Sequence, residues 1–314
     1  MDDRLLVKVS KWYYEEQVTQ EEIARRIGIS RSTISRMLTS ARRRGIVKIS
    51  VERPPSELFN FDLEGILESS FNLNEVVVCN CEPGVAGSML GAMTADHLLR
   101  NLTPGQTIGL SWGRSVATVV DAIPRNSGVD DLTVIALSGG VGAANQSYLG
   151  NTLVLKLADR LNAQAMTLDA PAILRSETYE QLVAEPAISR VLERGATSDV
   201  VVVGIGALGH FSTLTTAEYL EPRMLETMEK LGAVGDLCSR FYTANGTAVS
   251  SDLDRRTIGI SFEALRKIPQ VIAVAWGSEK VSAILGALRL GVLNVLVTDL
   301  STASALVELI SHEL

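Results

Sequence analysis

Cysteine and histidine are scarce in this 314-residue chain, with three of each. Cys79, Cys81 and Cys238 are too few for a disulfide framework. Cys79-x-Cys81 reads as small core filler at a strand end, and His97, His210 and His312 are too scattered to complete a zinc site. No apolar run reaches the roughly 18 residues of a membrane span, and the N-terminus is charged rather than leader-like. These absences predict a reduced, cytoplasmic protein with no membrane partner, no metal and no cofactor. Basic surplus is missing from most of the chain as well. Residues 1–53 hold 12 Lys+Arg against 7 Asp+Glu, whereas the remainder holds 17 against 29. A basic head on an acidic body confines any nucleic-acid contact to the head.

The head carries the clearest pattern. Thr19-Gln-Glu-Glu22 is a capping box, in which the Thr19 hydroxyl accepts the Glu22 N–H and the Glu22 side chain reaches back. Ile23, Ala24 and Ile27 make an apolar stripe, and Gly28 permits a sharp exit. Ser30 is a good N-cap for a second helix with Ile34, Met37, Leu38 and Ala41 on its inner face. The outer face carries Arg31, Ser32, Thr33, Ser35 and Arg36, with Arg42, Arg43 and Arg44 at the end. This is the layout of a helix-turn-helix whose second helix enters the major groove of double-stranded DNA. Gln20, at the start of the first helix, completes the expected DNA-facing set. Arginine pairs bidentately with guanine, and the terminal arginines suit phosphates and the helix's negative end. Residues 46–51 alternate as a strand should, which predicts a wing. A helical hairpin with a solvated basic face would share the periodicity, but not the caps, the turn glycine and the strand in this order. Residues 3–16 predict a preceding helix, with Leu5, Leu6, Val9, Trp12 and Tyr13 inward.

Arg53-Pro54-Pro55-Ser56 is the best boundary. It divides the chain into a DNA-binding domain at 1–53, a linker helix within 54–73 and an effector domain at 74–314. The linker helix could pack on the body or on a partner subunit. From residue 74 onward, near-continuous apolar runs at 75–79, 107–111, 132–137, 164–168, 199–204, 270–275 and 293–298 alternate with helical stretches. That pattern implies an α/β domain with a doubly wound, mostly parallel sheet. Residues 235–265 break the alternation, and Asn245-Gly246 predicts a hairpin turn there.

Three glycine-rich corners follow strands, where open α/β sheets bind ligands. Gly109 to Ser115 runs from strand through a glycine turn into a helix and suits a phosphate. Leu137 to Gly142 offers backbone that a ligand can approach. Ala275 to Lys280 repeats the Trp-Gly logic and adds an ammonium. Each corner alone is a tight turn; three at equivalent strand ends favour an anionic ligand. Gly204-Ile-Gly-Ala-Leu-Gly209 matches the dinucleotide fingerprint formally, but lacks the following helix and the later acid. Asp236 and Arg240 stand at i, i+4, either as an exposed ion pair or as contacts to sugar hydroxyls and phosphate. Asp299 ends a strand, where it suits a hydroxyl or a helix cap.

These residues together resemble the SorC family of bacterial transcriptional regulators. The likeness rests on WYYEEQVTQEEIARRIGISRSTISRMLTSARRRGIVKI in the head, and on IGLSWGRSV, LSGGVG, VVVGIGAL, GAVGDLCSRFY and the segment from Glu279 to Leu306 in the body. The resemblance implies a winged helix-turn-helix head joined to an effector domain related to sugar-phosphate isomerases. It implies a phosphorylated sugar or polyol as effector, and a homodimer or homotetramer on operator DNA. Carried over by position, Ser111, Gly113, Arg114, Ser138, Gly139 and Gly140 would frame the sugar-phosphate, with contacts from Asp236, Lys280 and Asp299. Arg175 is a looser candidate. The expectation is a ligand-controlled regulator, not an enzyme. The alternative, an active isomerase or deaminase with a nucleic-acid tether, needs a general base near the sugar. Asp236 is the one attractive carboxylate.

Overall fold

A computed structural model describes residues 3–49, 58–125, 128–140, 149–209 and 222–312. The chain divides into two compact units, Met1–Ser56 and Glu57–Leu314.

In the first unit, α1 (Asp3–Ser10) continues as a π-turn over Lys11–Glu15. It is followed by α2 (Gln20–Ile27) and α3 (Arg31–Arg43). Leu6, Val9, Ile23, Ile34, Met37 and Leu38 form the core, with Leu5, Trp12 and Tyr13 packed around it. The caps form as the sequence predicts. The Thr19 hydroxyl accepts the Glu22 N–H at 3.3 Å and Ser30 accepts that of Thr33 at 3.2 Å. Gly28 takes φ +69. One half of the capping box differs, because the Glu22 carboxylate turns outward to Arg26 at 2.7 Å. An ion pair one turn away competes for the same carboxylate. The expected wing strand is not formed over its described part, 46–49. The Ile46 and Val47 amides donate back to Ala41 O, and Ile46 packs on the head core, so this segment closes α3 instead. Ser50 and Val51 lie outside the described residues.

The second unit opens with α4 (Phe61–Phe71) and β1 (Glu75–Cys79). Alternation follows: α5 (Ala86–Asn101), β2 (Thr107–Leu110), α6 (Arg114–Ala122), β3 (Thr133–Ala136), α7 (Gly150–Leu161) and β4 (Gln164–Met166). Two helices follow, α8 (Ser176–Ala184) and α9 (Pro186–Gly195), separated at Pro186, which removes a helix donor. Next come β5 (Val200–Gly204), β6 (Gly206–Ala207), α10 (Pro222–Lys230), β7 (Ala233–Leu237) and β8 (Arg240–Thr243). The chain closes with α11 (Asp252–Arg255), α12 (Phe262–Leu265), β9 (Gln270–Val274), α13 (Val281–Leu290), β10 (Val295–Asp299) and α14 (Leu300–Ser311).

Among the described residues, seven strands form a parallel sheet in the order β1-β10-β9-β5-β2-β3-β4. Alternate residues of one strand serve opposite cores: Val200 and Val202 pack on one face, Val201 and Val203 on the other. This is why the strands read as unbroken apolar runs. The antiparallel excursion is a second sheet, β6-β7-β8. Cys238-Ser239, both at positive φ, turn β7 into β8. Asn245-Gly246 forms the expected hairpin turn beyond β8: Gly246 N–H donates to Thr243 O, Thr243 N–H to Thr247 O and Val249 N–H to Phe241 O, and Tyr242 bridges Ala248 in antiparallel.

α4 is seated on the sheet. β1 is the edge strand of the parallel sheet; Phe59 bridges Cys79 at its end, and two α4 carboxylates take the amides on the rest of that edge. Glu64 accepts the Val78 N–H and Glu68 that of Val76, each at 2.9 Å. Burial pushes the Glu64 carboxyl above its ordinary range. Glu64→Ala is expected to cost about 1–3 kcal/mol by stranding the Val78 N–H and to promote association through the bared edge. Glu64→Gln, which keeps an acceptor, should stay near wild type in a urea titration. Equal stability for Glu64→Ala would remove this role.

Candidate functional site

In the first unit, α3 presents Arg31, Ser32, Ser35, Arg36, Arg42 and Arg43 exposed, with Thr33 half-buried; Gln20 is half-buried at the start of α2. Two of the small hydroxyls are engaged locally, because the Ser30 hydroxyl lies 2.8 Å from those of both Ser32 and Thr33. Arg36 lies back along the helix, its Nε 3.4 Å from Ser32 O. Arg44 pairs with Asp3 at 2.6 Å. An exposed pair of this kind contributes little to stability, so Arg44 can exchange Asp3 for a phosphate at small cost.

In the second unit, the strand order reverses between β2 and β5, since the chain returns from β4 to the far side of β2. Ligands of open α/β sheets bind in the crevice at such a point. β2 ends there in Ser111-Trp112-Gly113. Gly113 takes φ +127 at the N-cap of α6, and no side chain caps that helix. The first-turn amides and the positive helix end therefore stay available to an anion. Arg114, exposed on that turn, acts electrostatically on Lys280 across the corner after β9. Burial and then Arg114 push the Lys280 ammonium below its ordinary range, while Glu279 and Asp236 act against them. The Lys280 Nζ lies 6.0 Å from the centre of the Trp276 ring.

Asp236, on β7, is the third member. Burial pushes its carboxyl up from 3.8 to about 6, against a hydrogen bond from the Ser239 N–H at 3.1 Å and the charge of Lys280. Gly206 of β6 makes room for it, since a Cβ there would stand 1.9 Å from Asp236 Oδ1. Within Gly204 to Gly209, Gly206 thus serves this carboxylate and the β6–β7 pairing. The segment that follows, from His210, lies outside the described residues.

Several expected contacts are spent inside the protein. Ser111 accepts the Gly204 N–H at 3.1 Å and so ties the ends of β2 and β5 together. The second corner is not open backbone. Gly139 N–H donates to Ile258 O and Gly140 N–H to Ala170 O, while a Cβ on Gly139 would meet Ala170 O at 2.6 Å. The Ser138 hydroxyl is what that corner still offers, being buried without a hydrogen-bond partner among the described residues. Val141 and Gly142 of this motif lie outside the described residues. Asp299 caps α14, accepting from Thr302 N–H at 2.9 Å and the Ser301 hydroxyl at 3.2 Å. Arg175 stands exposed at the N-cap position of α8. Arg240 does not pair with Asp236, because β8 is a strand rather than a helix. Its guanidinium bonds the Asp254 carboxylate at 2.6 Å. Sequence reasoning missed Ser239 and Gly206 as the immediate supports of Asp236. The glycine pair of the 204–209 motif was the one visible signal for Gly206.

No helix among the described residues is long and apolar enough to cross a membrane, and no His/Cys/Asp/Glu cluster among them could hold a metal ion.

Comparison with known proteins matches residues 57–308 to a family profile for a sugar-binding domain and residues 4–55 to a Crp-like helix-turn-helix domain. The sorbitol operon regulator of Klebsiella pneumoniae is 35% identical, with 98% of each chain covered. The deoxyribonucleoside regulator of Bacillus subtilis is 31% identical over 97% of each. The crystal structure of the full-length Klebsiella regulator superposes with a TM-score of 0.75 at 33% identity, covering 96% of this chain and 98% of that one.

Proposed function

We propose that this chain, which belongs to the SorC family of transcriptional regulators, controls a carbohydrate-utilisation operon through a phosphorylated sugar or polyol bound at the reversal point of its sheet. That it is a regulator of the sugar-operon type follows from the family, whose named relatives above are regulators rather than enzymes. The phosphate and the polyol are our reading. The observation that carries it is that Arg114, at the uncapped start of α6, and the buried Asp236 both act electrostatically on Lys280. Two cations and free amides suit a dianionic phosphate. A buried carboxylate beside them suits hydroxyls, to which it donates when protonated and from which it accepts when ionised.

The protein would act in the cytoplasm as a homodimer or homotetramer, with two α3 helices reaching half-sites about one helical turn apart. Effector binding would then shift the balance between head arrangements, which requires different affinities for the ligand in each. A thermal-shift screen of sugar phosphates, polyol phosphates and free polyols tests the site. A phosphorylated ligand at a hundred times its Kd should stabilise by about 2.7 kcal/mol, and Lys280→Ala should blunt the shift. Equal shifts with the dephosphorylated compound would remove the phosphate claim.

A further inference from the structure

The hairpin β7–β8, the corner after β3 and the stretch before α8 all meet one segment, Asp254–Ile260. On one side, Gly139 N–H donates to Ile258 O at 3.0 Å and Ile260 N–H to Leu137 O at 2.8 Å. On the other, Ile258 N–H donates to Ala172 O at 2.7 Å and Leu174 N–H to Arg256 O at 3.0 Å. The segment is a cross-piece wedged between the two. Arg240, the first residue of β8, grips it. Nε donates to Ile260 O at 2.9 Å, and Nη1 to Asp254 O at 3.1 Å and to the Asp254 carboxylate. Nη2 donates to Thr257 O and Gly259 O, both at 3.1 Å. A planar fork of five N–H groups is the side chain suited to so many acceptors at once. Gly259 is where the walls come closest. A Cβ there would stand 3.1 Å from Cys238 O on the hairpin turn and 3.1 Å from Ser138 Cβ on the β3 corner.

We propose that Arg240 and Gly259 are positioning residues of the effector site, setting the gap between Asp236 on the hairpin and Ser138 on the β3 corner through this cross-piece. The inference rests on the effector-site reading above. Arg240 holds the cross-piece to the hairpin, and the missing side chain of Gly259 lets the hairpin turn and the corner close on each other. Neither residue touches the ligand. Their loss changes the width of the polyol end of the pocket and leaves the Arg114–Lys280 end as it was.

The test uses full-length Arg240→Gln and Gly259→Ala with two readouts. The first is hydrogen exchange of the ligand-free protein. Peptides covering 137–140 and 170–174 should exchange at least tenfold faster, although Arg240 bonds only to 254–260 among these segments, and peptides from β1 and β10 should not change. The second is titration with D-sorbitol 6-phosphate and with inorganic phosphate. Affinity for the polyol phosphate should fall at least tenfold and that for phosphate less than twofold. Faster exchange confined to 238–243 and 254–260, or equal losses for both probes, would overturn the proposal. Gly259→Ala keeps the Arg240 side chain and every group that accepts from it, and decides the matter if Arg240→Gln does not fold. If the wild-type protein binds neither probe, the effector-site reading fails and the positioning role falls with it, whereas normal wild-type binding with an unchanged variant overturns the positioning role alone.

Discussion

Asp236→Asn is expected to make the effector unit more stable and to abolish its response to the effector. The buried carboxyl is pushed up from 3.8 to about 6, so the folded state binds its proton more tightly than the unfolded chain does. The stability it contributes is fully present below the unfolded value and is lost as pH rises through about 6. At neutral pH the folded protein carries a buried charge that costs up to about 3 kcal/mol. Asparagine keeps the shape and still accepts the Ser239 N–H, but cannot ionise. The variant should therefore gain several degrees in melting midpoint at pH 7. That gain should shrink as the pH is lowered from 7 towards 4, because the wild-type carboxyl protonates and the two proteins become alike. Binding of a polyol phosphate should be lost in the same variant. A lower midpoint at pH 7 would contradict the burial argument, and an intact ligand response would remove Asp236 from the site. A residue that weakens the fold unless a ligand satisfies it is the kind of strain that functional sites retain.

Arg36→Ala should reduce operator affinity by about tenfold to a hundredfold, the worth of one bidentate arginine–guanine contact. The melting midpoint should be unchanged, because Arg36 is exposed and its described hydrogen bond is a weak one to Ser32 O within its own helix. A mobility-shift assay at two salt concentrations separates base reading from phosphate attraction. Loss of a base contact lowers affinity for the operator far more than for unrelated DNA, and leaves the salt slope nearly as it was. Unchanged operator binding would take the recognition role away from this face of α3.

The first unit was legible because its signals are local. A cap, a stripe at helical spacing and a glycine exit lie within a turn or two of each other, so Thr19, Ser30 and Gly28 perform in the structure what their spacing announces. The short segment after Gly45 was not legible. Alternation in Ile46 to Ile49 suits a strand, but a strand needs a partner, and Ala41 O takes the Ile46 and Val47 amides instead. The parallel strands were readable for a related reason, since burial on both faces writes itself into composition.

The effector site divides along the same line. That three glycine-rich corners belong at strand ends is a property of the chain alone, as are the basic head and the acidic body. Which donors remain at those corners was decided by long-range contacts. Ser111 is taken by Gly204, Gly139 by Ile258 and Asp299 by its own helix, whereas Lys280 and Arg114 are brought within range of each other's charge by a strand order that no local pattern encodes. Arg240 and Asp236, four residues apart, would share a face in a helix. A two-residue turn through Cys238 and Ser239 sends them to different partners, Arg240 to Asp254 and Asp236 to Ser239. Residue types and their periodicity set what each segment can offer. Only the folded arrangement decides what is already spent, because a hydrogen bond between distant segments depends on positions that neither segment contains.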